Sequence, residues 1–328
     1  MSERYDNLDG LRAYAAIGIV MMHVLANSRY AVHGFLFRRM IPSFTDFTFL
    51  FMVISAFSMC CGYYEKFKDG KIDIEHFYKR RYQRLWPFFA ILCTIALVVS
   101  ISAKSFFDWF ADLTLMFGLI PNNNIEIIGV GWFIGLVFVF YMMFPFFVFA
   151  IGNKKRAWFS FTVGVLLTIS CILHFTKAAS RSNIVYSVSF FLLGGIIYLY
   201  RDVIKRYKTL WIALLVASII AYYTLSGNAL VGVFMELAVS YCLLATAISF
   251  KGGVLLHNRF AVFFSGISME VYLSHMVAFR VVQKLHMTNL LGNGAASYFV
   301  TVFCTLVGAV AISLILKKLV EVMEARLA

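Results

Sequence analysis

Two ionisable side chains lie inside the first long apolar stretch of the sequence, where a purely structural helix would carry none. Arg12 and His23 are eleven residues apart, and Asp9 precedes the arginine by three residues. At about 100° per residue, eleven residues make close to three turns, so these side chains share one helix face, with the histidine about 16 Å beyond the arginine. An imidazole held there is suited to remove a proton from a substrate. Alternatively, Arg12 reaches back to the interface and His23 hydrogen-bonds a neighbouring helix.

A basic cluster further along the chain has the composition of a phosphate-binding site. Arg80, Arg81 and Arg84 are spaced so that, on a helix, they extend from one surface. Guanidinium groups match phosphate oxygens in pairs, and Pro87 fits the first turn of the helix that follows. The same cluster would also serve as a topology anchor that binds anionic lipid headgroups.

A third polar group lies late in the chain, in the stretch GISMEVYLSH. Ser268, Tyr272 and His275 follow each other at i, i+4 and i+7, which places them on one helix face. They would bind an acceptor or orient His23, or else form hydrogen bonds that hold helices together. Two acids in other apolar positions could pair with an intramembrane cation: Glu236 and Glu270.

The elements that position these residues must lie in a membrane. Of the 328 residues, 62% are hydrophobic and 14% are charged, whereas a soluble domain has roughly a quarter of its residues charged. The apolar residues form blocks of about the 20 residues that a span needs. The sequence therefore predicts an all-α fold, a polytopic bundle of about ten transmembrane helices. We place them near residues 10–29, 44–63, 86–103, 128–150, 157–175, 184–200, 209–224, 229–249, 261–284 and 295–316.

The net charge of +13 reports orientation rather than nucleic-acid binding, because the basic residues lie in short connections between apolar blocks. Alternate connections carry most of the lysines and arginines, which predicts that both termini are inside. Residues 105–125 are amphipathic and contain Asp108 and Asp112. We expect them to lie along or dip into the outer face, since another span would invert every later connection.

We expect residues 1–328 to form a single transmembrane domain, with no additional soluble domain. The six cysteines lie in or at the ends of apolar segments without paired spacing. They are interpreted as packing residues, and neither as a disulfide framework nor as a metal site.

Four motifs occur in order along the chain: LDGLR with a histidine eleven residues past its arginine, FLFMVISAF, RRYQRLWP and GISMEVYLSH. Together they resemble acyltransferase family 3, whose members are membrane proteins that O-acylate glycans and related molecules. Trp132, Tyr141 and Pro145 also fit a frame of that family. The chain departs from the family pattern at three positions: Ala56 in place of glycine, Val137 in place of an acid, and Met276 in place of proline.

The resemblance implies a multi-pass O-acyltransferase of the cell membrane, here a bacterial plasma membrane. It implies acetyl-CoA or another acyl-CoA as co-substrate, with no permanently bound cofactor, and a hydroxyl of a cell-surface or lipid-linked saccharide such as an exopolysaccharide as acceptor. Membrane lipids and polysaccharide assembly proteins are the other expected partners. His23 would be the general base or a transient acyl carrier. The other implied catalytic residues are Asp9, Arg12, Ser268, Tyr272 and His275, and the donor would be held by Arg12, Arg80, Arg81 and Arg84.

Two other classes of function fit the same residues. A proton-coupled transporter or flippase would also use intramembrane histidine, arginine and glutamate, although the sequence has no obvious inverted pair of segments broken by glycine or proline. A structural partner of a polysaccharide assembly complex would keep the motifs without catalysis. Release of free coenzyme A separates an enzyme from both.

Overall fold

The computed structural model describes residues 4–120 and 127–327, which form helices and contain no strand. The helices are α1 (Asn7–Ala26), α2 (Ile41–Ser43), α3 (Phe47–Lys68), α4 (Ile74–Val99), α5 (Ala103–Thr114), α6 (Trp132–Met142), α7 (Phe144–Ala150), α8 (Lys154–Leu173), α9 (Ile184–Ile204), α10 (Lys208–Leu225), α11 (Ala229–Ser249), α12 (Arg259–Ser265), α13 (Ser268–Lys284) and α14 (Ala295–Leu327). Short helical turns lie between them at Leu36–Met40, Phe44–Asp46, Met116–Leu119, Thr176–Ala178 and Met287–Asn289. The predicted all-α fold is confirmed.

Within the described residues, eight helices are long and apolar enough to cross a membrane, and two bent helix pairs raise the number to ten. These ten elements match the ten predicted spans. In the bent pairs, α6 meets α7 at 63° and α12 meets α13 at 75°. Pro145 follows the first break and Gly266 lies at the second, and both residue types weaken a continuous helix. Neither break was predicted from the sequence, which shows no obvious inverted pair of segments broken by glycine or proline.

The third span begins earlier than predicted. The sequence suggests residues 86–103 with Pro87 in the first turn, whereas α4 starts at Ile74 and carries Pro87 in its interior. Asp73 caps the helix start, because its side chain accepts a hydrogen bond of 3.1 Å from the backbone N–H of His76. The arginine cluster therefore lies on the helix itself rather than in the preceding loop.

Helix α5 covers residues 105–114 of the amphipathic segment predicted at 105–125, of which residues 121–125 lie outside the described residues. Its 12 residues are too few for a span, and it packs against α4, where Trp109 donates a hydrogen bond to Thr94. Asp112 is fully buried beside Cys93 and accepts a hydrogen bond of 3.0 Å from the backbone N–H of Ile127. Burial raises the pKa of its carboxyl to about 7.

The centre of the bundle depends on a close approach between α3 and α9. A Cβ added to Gly194 of α9 would lie 2.4 Å from the carbonyl oxygen of Val53 in α3, so only glycine allows this crossing. Nearby, the rings of Phe49 and Phe190 stack with centroids 4.0 Å apart. By contrast, α10 has no buried residue and lies at the edge of the bundle. Helix α1 packs on α3, α12 and α13, which brings its polar residues into the interior.

Candidate active site

The start of α1 is fixed against the connection between α11 and α12. A Cβ on Gly10 would lie 2.5 Å from both the Cα and the carbonyl oxygen of Leu256, so the two backbones are in direct contact. Asn7 strengthens this contact, since its side chain donates to the carbonyl oxygens of Ala247 and Phe250 and accepts from the N–H of Gly253. The glycine of the LDGLR motif therefore sets the position of the helix that carries Arg12.

Replacing Gly10 with alanine should lower the stability of the folded protein by about 1–3 kcal/mol, because the added methyl group overlaps backbone atoms that cannot rotate away. Gly62→Ala is the matched control, since a Cβ at that helical position meets nothing within 4 Å. It should be neutral or stabilise by up to about 1 kcal/mol. Thermal unfolding of the detergent-purified variants measures both, and equal melting temperatures would contradict the close approach.

Arg12 has a nearer partner than the acid predicted for it. Its guanidinium donates a hydrogen bond of 2.7 Å to the hydroxyl of Ser58 in α3, while the distance to the carboxylate of Asp9 is 3.9 Å. Asp9 is closer to Arg4, at 3.1 Å, and accepts a hydrogen bond of 2.9 Å from Ser265. Ser58 lies one helical turn after Ser55, and that i, i+3 spacing was the only sequence signal for it.

Arg12 and Arg84 both line a cavity of about 80 Å³ between α1, α3, α4, α6 and α13. Their like charges repel each other across it. Two guanidinium groups facing one cavity suit an anionic ligand. Val137, the position where the sequence motif would allow an acid, also lies on the cavity wall, so this side chain does not neutralise the arginines. The remaining lining residues include Ser55, Tyr141, Ser268 and Tyr272.

The three arginines of α4 have different surroundings, although their spacing predicts one surface. Arg81 donates a hydrogen bond of 2.6 Å to Tyr63 and lies 4.7 Å from the centre of that ring. Arg80 and Arg84 are both exposed, and Arg84 is the member that lines the cavity with Arg12. A larger groove of about 830 Å³ adjoins the cluster and is lined by residues that include Tyr78, Lys79, Arg81, Tyr82 and Tyr141. Tyr141 belongs to both the groove and the cavity.

His23 and His275 lie side by side, with ring centroids 5.0 Å apart. His23 is half-buried and His275 is fully buried. Nδ1 of His275 lies 2.5 Å from the carbonyl oxygen of Tyr272. Because a carbonyl can only accept, Nδ1 carries the proton, which leaves the lone pair of the neutral ring on Nε2. This Nε2 has no hydrogen-bond partner among the described residues.

Tyr272 connects the histidine pair to the cavity. Its ring lies on the cavity wall, and its centroid is 5.9 Å from that of His275. Neither histidine belongs to the lining of that cavity, so the Tyr272 ring separates them from the two arginines. Ser268 lies one turn earlier on α13, at the bend, where its hydroxyl donates to the carbonyl oxygen of Ser265. The bend aims the N-terminus of α13, the positive end of the helix dipole, at the same cavity.

The structure thus brings together most of the predicted site residues: Asp9, Arg12, His23, Arg84, Ser268, Tyr272 and His275. Arg80 and Arg81 do not line the cavity, and Arg81 donates its hydrogen bond to Tyr63. A family model described as an acyltransferase domain matches residues 5–318. Neither the curated proteins nor the solved structures contain a match to the chain.

Proposed function

The chain belongs to acyltransferase family 3, and we propose that it moves an acyl group, most simply acetyl, from cytoplasmic acyl-CoA to a hydroxyl of a cell-surface or lipid-linked saccharide. The family match confirms the resemblance carried by the four motifs, and together with the ten candidate spans it makes the protein a multi-pass membrane acyltransferase. The donor, the acceptor, the site residues and the location in the plasma membrane are parts of the proposal.

One observation carries the proposal: Arg12, Arg84 and Tyr272 line one cavity, and the histidine pair lies on the other side of the Tyr272 ring. Cationic side chains can bind the phosphates of a coenzyme, and a neutral imidazole can accept the proton of an attacking hydroxyl. Acyl transfer from a coenzyme thioester requires both in one site.

We place the donor along the groove and the cavity. The nucleotide of acyl-CoA would lie in the groove, where Lys79 and Arg81 face its phosphates and the rings of Tyr78 and Tyr82 can pack on the adenine. Arg84 and Arg12 would take the phosphate nearest the bundle. The thin pantetheine arm would then pass Tyr141 towards Tyr272, widening the narrow cavity as it enters. On this basis the arginine end of the bundle faces the cytoplasm.

At the end of that arm, the acceptor hydroxyl attacks the thioester carbonyl. A carbon–oxygen bond forms, the carbon–sulfur bond breaks, and the hydroxyl proton goes to an imidazole of the histidine pair and from there to the sulfur of the leaving coenzyme. His23 is the half-buried member and the one that a substrate can reach, so it acts as the general base. An acyl-histidine intermediate would use the same ring. The surrounding bundle excludes water and so limits hydrolysis of the thioester.

The two broken spans favour one other candidate, a transporter or flippase. Transporters place discontinuous helices at their substrate sites, and both bent pairs contribute residues to the cavity. Such a protein would move an acyl group or a glycan without consuming the thioester. Incubation of the purified protein with acetyl-CoA carrying a labelled acetyl group distinguishes the two, because only an enzyme releases free coenzyme A and transfers the label to an acceptor. A protein that binds acetyl-CoA but releases no coenzyme would refute the proposal.

Replacing Arg84 with alanine should raise KM for acyl-CoA about tenfold or more, since a hydrogen bond to a charged group is worth about 1.5–3 kcal/mol. The value of kcat should change little, because the phosphates take no part in the chemical step. Initial rates at varied acyl-CoA concentration measure both constants. Arg80→Ala is the matched control: the same charge is removed from the same helix, but from a side chain that does not line the cavity. Equal effects of the two variants would show that the cluster acts only as a general positive surface.

A further inference from the structure

Another pocket lies away from Arg12 and Arg84, between α3, α10, α11 and the turn Phe44–Asp46. It encloses about 260 Å³ and is lined by two carboxyl groups, Asp46 and Glu236, which come from different parts of the chain. We propose that this pocket binds the acyl acceptor as a hydroxyl-bearing amphiphile, whose hydroxyl groups donate to the two carboxyls and whose alkyl part lies among apolar side chains.

The need for a ligand is clearest at Glu236. Its Oε2 atom is buried, and none of the described residues forms a hydrogen bond with it. Burying a carboxyl oxygen without a partner costs free energy, which a donor in the pocket would restore. Asp46 is already partly engaged, because it accepts a hydrogen bond of 2.5 Å from the hydroxyl of Tyr222. Ser43 and Ser240 also line the pocket.

The rest of the lining indicates that the ligand is not a free sugar. Most of the wall is apolar, with Leu50, Ile219, Val239 and Leu243 among its side chains. A free saccharide would bury its hydroxyl groups against this wall without partners. A molecule with a hydrocarbon chain and a few hydroxyl groups would match both the apolar wall and the two carboxyl groups. A saccharide linked to a lipid is such a molecule.

The charge of Arg181 makes a simple organic cation a poor alternative. This arginine donates a hydrogen bond to Thr45 and lies close enough to Asp46 and Glu236 to interact with both electrostatically. It already supplies the positive charge that two carboxyl groups attract. A neutral molecule with hydroxyl donors therefore fits the pocket better than a second cation does.

The pocket adjoins the helix that carries the proposed base. Phe44 and Phe47 line it and stack with ring centroids 5.1 Å apart, and the Phe47 ring occupies the space beside Gly18 of α1. His23 lies five residues further along α1, and it interacts electrostatically with Arg181. The identification of the ligand as the acceptor rests on the proposed acyl transfer, whereas the binding itself does not.

The binding can be tested without an activity. Dicyclohexylcarbodiimide, an apolar reagent for carboxylic acids, should label Glu236 in the purified protein in lipid nanodiscs, as read by mass spectrometry of the digested chain. Octyl β-D-glucoside, kept below micelle-forming concentrations, should suppress this label, while methyl β-D-glucoside at the same concentration should not. Labelling of Glu270 in the same sample shows whether a glucoside lowers the reactivity of the carbodiimide in general, and the label on Glu236 is corrected for it. Failure to label Glu236, or equal suppression by both glucosides, would overturn the proposal, as would suppression by octylammonium alone.

A variant locates the bound glucoside. In Asp46→Asn the concentration of octyl glucoside that halves the label on Glu236 should rise about tenfold, because one of the two carboxyl acceptors is lost. Asp69→Asn, at the other end of α3, should leave it unchanged. An unchanged value in Asp46→Asn would place the ligand elsewhere and overturn the proposal.

The assignment as acceptor site has its own readout. Glu236→Gln should raise KM for the acceptor about tenfold and leave KM for acyl-CoA unchanged. If glucoside protects Glu236 but the protein transfers no acyl group, the pocket stands and the proposed function fails. If acyl transfer occurs and Glu236→Gln leaves the acceptor KM unchanged, the proposed function stands and the acceptor site fails.

Discussion

Replacing His23 with alanine should reduce kcat for acyl transfer by between about a hundredfold and ten-thousandfold, the range that general acid–base catalysis contributes. The imidazole is the half-buried member of the histidine pair and lies on the helix that also carries Arg12. Without it, the attacking hydroxyl keeps its proton and remains a weak nucleophile. Coenzyme A release and product formation, measured at saturating donor and acceptor, report this loss.

The same variant should fold, insert and bind donor as the natural protein does, because the proposed donor contacts belong to other residues. KM or Kd for acyl-CoA should therefore stay within about twofold. His174→Ala is the matched control, since that histidine is exposed just after α8. A His23→Ala protein that keeps more than about a tenth of the activity would remove His23 from the chemistry, because it would fall outside the range that a lost base explains.

Sequence patterns predict the bundle well because a membrane leaves few alternatives. Long apolar blocks must become helices in lipid, since every backbone polar group needs an internal partner. That constraint gives the ten spans almost directly. It does not predict where a span is broken. By sequence α12 and α13 look like one span, yet the bend near Gly266 brings Ser268 and a helix N-terminus to the cavity. Hydrophobicity does not distinguish a straight helix from a bent one of the same composition.

The sequence was enough to predict which residues belong to the candidate site, but not which of them contact each other. The rarity of ionisable groups in apolar segments identifies Arg12, His23 and His275. Their grouping depends on how α1 lies between α3 and α13, and no local pattern encodes that packing. The arginine cluster shows the same limit, because Arg81 and Arg84 differ only in which neighbours the fold provides. Arg181 lies in a connection rather than a span, and its place beside Asp46 and Glu236 was not predicted.

The second large effect is expected at His275. Replacing it with asparagine should lower kcat at least about a hundredfold, at the low end of the range for proton-transfer groups. Asparagine can keep a donor near the position of Nδ1 and so hold the carbonyl of Tyr272, but it lacks the Nε2 lone pair. Rates at saturating substrates and thermal unfolding together separate lost chemistry from lost fold. Alanine is the harsher comparison, since it removes the side-chain donor to that carbonyl as well as the Nε2 lone pair.

Combining His275→Asn with His23→Ala tests whether the two rings work as one unit. If His275 takes part in proton transfer through His23, the double variant should be no slower than His23→Ala alone, because residues that act together lose their shared effect only once. If His275 merely holds the helices together, its replacement should multiply the loss caused by His23→Ala. The 5.0 Å separation of the ring centroids and the unpartnered Nε2 favour the first outcome. Multiplicative losses would make His275 a structural residue and leave His23 as the sole base.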